Sequence, residues 1–177
     1  MSEEENKEII EYGMYRLKIY LVSIIVILAL GYIMKMFIQS ACFLVSFLPL
    51  RCYAGGYHAK TQKACSIISF LILYITFAIF RGFDNSSKSI VLFIDMVCSL
   101  AVWQWAPVDN LNKRLDSEEI RKYRICTRKI LLIESAILVI LYGTDISKMF
   151  FGSSISIWIV GFVVVVGNME RLNEKYF

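Results

Sequence analysis

An all-α, polytopic membrane helical bundle, with about six transmembrane helices and an N-terminal amphipathic helix, is the fold class this sequence predicts, and three observations predict it. Hydrophobic residues make up 58% of the 177 residues and mean hydropathy is +0.60, above the roughly 45–50% apolar share of soluble chains. The apolar residues gather into runs approaching the ~20 that a helix needs to cross a hydrocarbon core. The basic residues lie mostly between those runs, as they do when charge sets membrane orientation.

The elements follow in chain order. Residues 3–16 mix Glu, Lys and Arg with Ile9, Ile10, Tyr12, Met14 and Tyr15, a pattern suited to an amphipathic helix lying at the membrane surface. The opening Met-Ser-Glu-Glu-Glu is acidic where a secretory signal is basic, and no small-residue cleavage site follows the first apolar run; no cleavage is expected. Apolar residues run from Leu17 to Met34 and, after Lys35, from Met36 to Leu50, stopping at Pro49 and Arg51. This predicts a helical hairpin that turns near residues 31–35. Further runs at 64–80, 89–108, 130–143 and 149–167 complete six candidate spans. The second and fifth are short, so they need tilt or snorkelling Lys and Arg to cross; five spans or a re-entrant segment are the alternatives. Residues 1–177 read as one integral membrane domain, 1–16 being the amphipathic segment and 17–177 the bundle, with no internal repeat.

Charge gives an independent count. With both ends on the cytoplasmic side, 15 of the 19 Lys and Arg fall in inside segments, and only Lys35, Arg81, Lys88 and Lys148 fall outside. That asymmetry supports an even number of spans and puts the 51–63 loop and the 109–129 segment together in the cytoplasm. It also accounts for the net charge of +4 without a nucleic-acid partner. The five cysteines, Cys42, Cys52, Cys65, Cys98 and Cys126, are scattered and lack a CxxC pair, which suggests neither a disulfide framework nor a zinc site.

The stretch richest in chemistry is Arg51-Cys52-Tyr53-Ala54-Gly55-Gly56-Tyr57-His58, followed at the entry to the third run by Cys65; it holds the only histidine. A thiol attacks as thiolate, and a neighbouring imidazole can take its proton. On one continuous helix seven residues rise about 10.5 Å, too far for a direct bond, so His58 has to leave the axis; Gly55-Gly56 can supply the bend. On spacing alone, chance accounts for a single His near a Cys in most proteins. Gly55-Gly56 is then a plain turn and Arg51 a positive-inside anchor, and these readings stay open at this point.

The pattern Arg-x4-Gly-x-His-x6-Cys, spanning Arg51, Gly56, His58 and Cys65 at the entry to a membrane span, resembles the signature of the AgrB family, membrane cysteine peptidases of bacterial quorum sensing. Chain length, span pattern and the segment Trp105-Ala106-Pro107-Val108-Asp109-Asn110-Leu111-Asn112-Lys113 resemble that family too. The resemblance implies that Cys65 is the nucleophile and His58 its base, with Arg51, Gly55 and Gly56 supporting the site, and with no cofactor and no metal. It implies cleavage of an AgrD-type signal propeptide through an enzyme thioester, closing to a cyclic thiolactone or lactone. It further implies a multi-pass bacterial cell-membrane protein, with the site on the cytoplasmic side, that self-associates as a homodimer. Backbone N–H groups from Gly55 to Tyr57 are candidate donors to a tetrahedral intermediate.

Asp95, Gln104 and Glu134 fall inside apolar runs, where charge is costly and often functional. Asp95 could orient His58; for each of the three the plainer alternative is an interhelical hydrogen bond or a protonated carboxyl near the outer leaflet. Residues 109–129 carry seven basic residues beside Asp109, Asp116, Glu118 and Glu119. They could form an amphipathic cytoplasmic helix on anionic lipid, a dock for an acidic propeptide tail, or a plain positive-inside loop. Two rival classes remain: a small transporter or exporter working through Asp95 and Glu134, and a noncatalytic membrane scaffold.

Overall fold

The computed structural model describes residues 3–56, 62–82, 88–108, 116–144 and 146–176, with only the backbone at 62–66 and at several positions near either end. Six helices carry the described chain: α1 (Glu3–Ile33), α2 (Phe37–Ala54), α3 (Gln62–Gly82), α4 (Lys88–Trp105), α5 (Ser117–Tyr142) and α6 (Ser147–Tyr176). Four contain a stretch long and apolar enough to cross a membrane, at Gly13–Ile33, Phe37–Ala54, Lys88–Trp105 and Ser147–Leu172; Ile67–Gly82 is a shorter apolar helix. Ile25, Phe70, Phe93 and Phe162 are each about two-thirds exposed, and α5 exposes Leu132, Ile133, Val139 and Ile140 along its second half. Apolar surface of this extent is compatible with lipid and not with water. The chain is a helical membrane protein.

The hairpin turn falls where the apolar pattern breaks, with Lys35 in the left-handed region (φ 59°) and the Met36 N–H bonding back to the Gly31 carbonyl at 2.7 Å. Three boundaries differ from the expectations. The 3–16 segment is not separate from the first span: α1 is one helix of 31 residues. α2 does not stop at Pro49 but carries it inside the helix and continues to Ala54. Proline removes one helical N–H, but Leu50 and Ala54 beyond it are fully buried, and that packing repays continuation. Of the amphipathic 109–129 segment, residues 109–115 lie outside the described residues, and 117–129 are likewise not separate from the fifth run, since α5 is one helix of 26 residues. It starts on a capping box in which the Asp116 carboxylate accepts from the Ser117 N–H at 2.7 Å and the Glu119 carboxylate accepts from the Asp116 N–H at 3.2 Å. Such a box satisfies donors at a helix start that otherwise lack partners.

α6 is the centre of the bundle. Of its apolar window 61% is buried, against 6% for α1, and its most extensive contacts are with α2 and α4. One core cluster joins Leu50 of α2, Val91 and Val102 of α4 and Leu138 of α5 to Ile157 and Val160 of α6. The other joins Phe43 of α2 and Phe77 and Phe80 of α3 to Ile155. In lipid, helices associate through close packing and polar contacts rather than by hiding apolar area, and α6 supplies both. A methyl group added at Gly152 would come within 2.6 Å of the Gln39 carbonyl oxygen, and one at Gly161 within 3.1 Å of Cys98 Cβ. Ser154 donates its hydroxyl to Asp95 Oδ2 at 2.8 Å.

Candidate functional site

The chain leaves α2 through two residues with positive φ, Gly55 at 66° and Gly56 at 110°. At φ 110° a side chain is strained whatever space surrounds it, and at both positions space is also lacking. A Cβ on Gly55 would collide with the Val108 carbonyl oxygen. On Gly56 it would lie 2.9 Å from Val163 Cγ1 of α6. Gly55-Gly56 therefore does more than turn the chain, because it lets two other segments close on the end of α2.

The first of these is Ala106-Pro107-Val108, which follows α4. Val108 donates its N–H to the Ala54 carbonyl at 3.0 Å, and the Gly56 N–H donates to the Val108 carbonyl at 3.5 Å, forming a parallel bridge centred on Gly55. The second is α6, through Val163. Arg51, half-buried in the last turn of α2, donates from Nη1 to the Gly55 carbonyl. It thus acts as a cap on the helix end as well as a positive charge.

Further contacts bind this end of the bundle together. Tyr53 of α2 meets Tyr123 of α5 edge to face, with centroids 5.8 Å apart. The Arg128 guanidinium lies 4.7 Å above the Trp103 ring and donates from Nη2 to the Trp103 carbonyl at 3.5 Å. At the opposite end Lys88 Nζ donates to the Thr144 carbonyl at 2.9 Å. The end of α2, the end of α4 and the basic half of α5 thus share one end of the bundle.

His58 lies outside the described residues, and of Cys65 only the backbone is described, in the first turn of α3. Arg51, Gly55 and Gly56 are brought together. Around this stretch α2 ends at Ala54, α3 begins at Gln62, and Gly55 and Gly56 turn the chain away at the end of α2. One expectation is narrowed, since the Gly56 N–H, a candidate donor to an oxyanion, is already given to Val108.

Among the intramembrane polar residues, Asp95 is buried and makes an interhelical bond with Ser154, with Trp158 beside the same carboxylate. Glu134 is buried, with Oε2 lacking a hydrogen-bond partner among the described residues, and Gln104 is exposed. Sequence reasoning missed Val108 and Val163, whose roles rest on main-chain atoms and on proximity to a glycine. No group of three metal-binding side chains occurs among the described residues.

Comparison with known proteins agrees with this architecture. The model of the accessory gene regulator B family matches residues 1–166. An AgrB-like protein 2 of Clostridium perfringens strain 13 is 32% identical over 126 residues, which is 68% of this chain and 59% of that protein. An AgrB-like protein of Clostridium perfringens strain SM101 is 30% identical over 126 residues, with the same coverage. The match therefore spans about three-fifths of the length of these relatives. No solved structure matches.

Proposed function

The chain belongs to the accessory gene regulator B family, and from that premise we propose that it is a membrane cysteine endopeptidase that processes an AgrD-type quorum-sensing propeptide. The observation that supports this reading best is the break at Gly55-Gly56, which ends α2 between the Arg51 cap and the entry to α3 at Gln62. The chemistry needs a break of the helix shortly before His58, and Gly56 stands two residues before it.

In the proposed reaction His58 takes the proton of the Cys65 thiol, and the thiolate attacks the scissile carbonyl. The tetrahedral adduct collapses to a thioester on Cys65 as His58 returns the proton to the leaving amine. A thiol of the bound peptide then attacks that thioester, its proton passes to the Cys65 sulfur, and the ring closes as a thiolactone; a serine hydroxyl would give a lactone. Exchange of one thioester for another is close to isoenergetic, whereas hydrolysis discards the activation, so a site that keeps water out favours the cyclic product.

The test is mass spectrometry of a candidate propeptide incubated with the purified protein in lipid nanodiscs, comparing wild type with Cys65→Ala and His58→Ala. Cleavage by wild type alone, with a peptide adduct on Cys65, is expected. Equal processing by all three would remove the assignment of Cys65 and His58, and no processing by any of them, with folding verified, would favour a transporter or scaffold.

A further inference from the structure

We propose that Val108 is a positioning residue of this site, whose main-chain N–H and C=O hold the end of α2 on both sides of Gly55 and so fix where the segment leading to His58 departs. The inference rests on the peptidase reading and deepens it.

Glycines with positive φ are the softest points of a chain, and two of them in succession would let the following segment swing. Here they are held. Ala54 ends α2, so its carbonyl has no helical acceptor role to fill, and it takes the Val108 N–H at 3.0 Å. The Gly55 carbonyl takes Arg51, and the Gly56 N–H goes to Val108. Val108 is itself anchored: it is 4% exposed and lies in the same core cluster as Leu50, Ala54 and Val164. Two residues before it, the Ala106 N–H continues the α4 ladder to the Val102 carbonyl at 3.0 Å.

The clamp therefore ties the departure point to α4, and Val163 ties it to α6. His58 is the second residue after Gly56, so its Cα lies within roughly 7 Å of the Gly56 Cα by chain length. A general base works only when held within about 0.5 Å of its productive position. Val108 contributes no group to the reaction and acts through His58.

The test is site-resolved mass spectrometry of Cys65 alkylation across pH, on full-length protein in nanodiscs. An unaided thiol of pKa ~8.5 is only ~3% thiolate at pH 7, so His58→Ala is expected to slow Cys65 alkylation there by up to about thirtyfold. Val108→Pro, which deletes the N–H given to Ala54, is expected to move the pH profile most of the way to that of His58→Ala. Val108→Ala, which keeps both main-chain bonds, is expected to stay near wild type. A folded Val108→Pro protein with the wild-type profile overturns the proposal.

Amide hydrogen exchange on wild type covers the case in which Val108→Pro does not fold. Protection of the Val108 amide comparable to that of Ala106 supports the clamp, and exchange at the free-peptide rate overturns it. If wild type and His58→Ala profiles coincide, the peptidase reading itself fails and the proposal with it. If those two separate while Val108→Pro follows wild type, only the role of Val108 fails.

Discussion

Gly56→Ala perturbs the candidate site by a distance that can be worked out. The new methyl would sit 2.9 Å from Val163 Cγ1, 3.0 Å from the Val163 carbonyl oxygen and 3.1 Å from Arg51 Nη1, where ordinary contact begins at 3.4 Å. The shortfalls are 0.5, 0.4 and 0.3 Å. The Val163 side chain and the guanidinium can turn aside, but the carbonyl belongs to the backbone of the central helix, so the glycine segment has to yield by about 0.4 Å. Retaining φ near 110° adds roughly 1–3 kcal/mol of backbone strain for alanine. A displacement of 1 Å can cost on the order of a hundredfold in rate, so one near half that size is expected to lower kcat for propeptide cleavage by about tenfold, with KM little changed. Initial rates by mass spectrometry in nanodiscs, with a thermal melt alongside, make the measurement. Adding Val163→Ala removes the Cγ1 obstacle and leaves the carbonyl, so rescue should be partial. A Gly56→Ala protein that cleaves at the wild-type rate would refute the reasoning.

Glycines inside the helices should respond in an order set by their neighbours. Gly152→Ala should destabilise by about 1–3 kcal/mol, and Gly161→Ala by less, its nearest contact being 3.1 Å rather than 2.6 Å. Gly13→Ala, with nothing within 4 Å, should be neutral or stabilising by up to ~1 kcal/mol; melting temperatures in one detergent test the ranking. Asp95→Asn keeps an acceptor for Ser154 and should melt near wild type, whereas Asp95→Leu leaves that hydroxyl without its acceptor and should lose about 1–3 kcal/mol. Both should still cleave propeptide, and loss of cleavage by a stable Asp95→Asn protein would favour Asp95 as the residue that orients His58. Asp116→Ala, by removing the capping box of α5, should cost about 1 kcal/mol and speed amide exchange in the first turn of that helix.

The spans were legible because the apolar runs are long and the breaks between them sharp: Lys35 interrupts two apolar stretches, and the turn falls there. What was not legible depends on tertiary context. Pro49 reads as a stop because the missing N–H is local information, whereas the burial of Leu50 and Ala54 that carries α2 past it is not. Residues 117–129 and 130–142 look like two elements because composition changes between them, yet backbone hydrogen bonding does not register that change and α5 continues through it. At the candidate site, Arg51, Gly55 and Gly56 stood out by residue type. Val108 did not, because it is one valine among many and acts through main-chain atoms shared by nearly every residue. Asp95 stood out as costly, but its bond to Ser154, 59 residues away along the chain, is visible only in the structure.

The central position of α6 also bears on how the protein is made. The Ser154 hydroxyl that meets Asp95 lies 59 residues further along the chain, which at synthesis rates of roughly 5–20 residues per second means a wait of about 3–12 s. During that interval the Asp95 carboxyl has been made but its hydroxyl partner on α6 has not. The packed core around α6 can therefore be completed only after the last helix of the chain has been made.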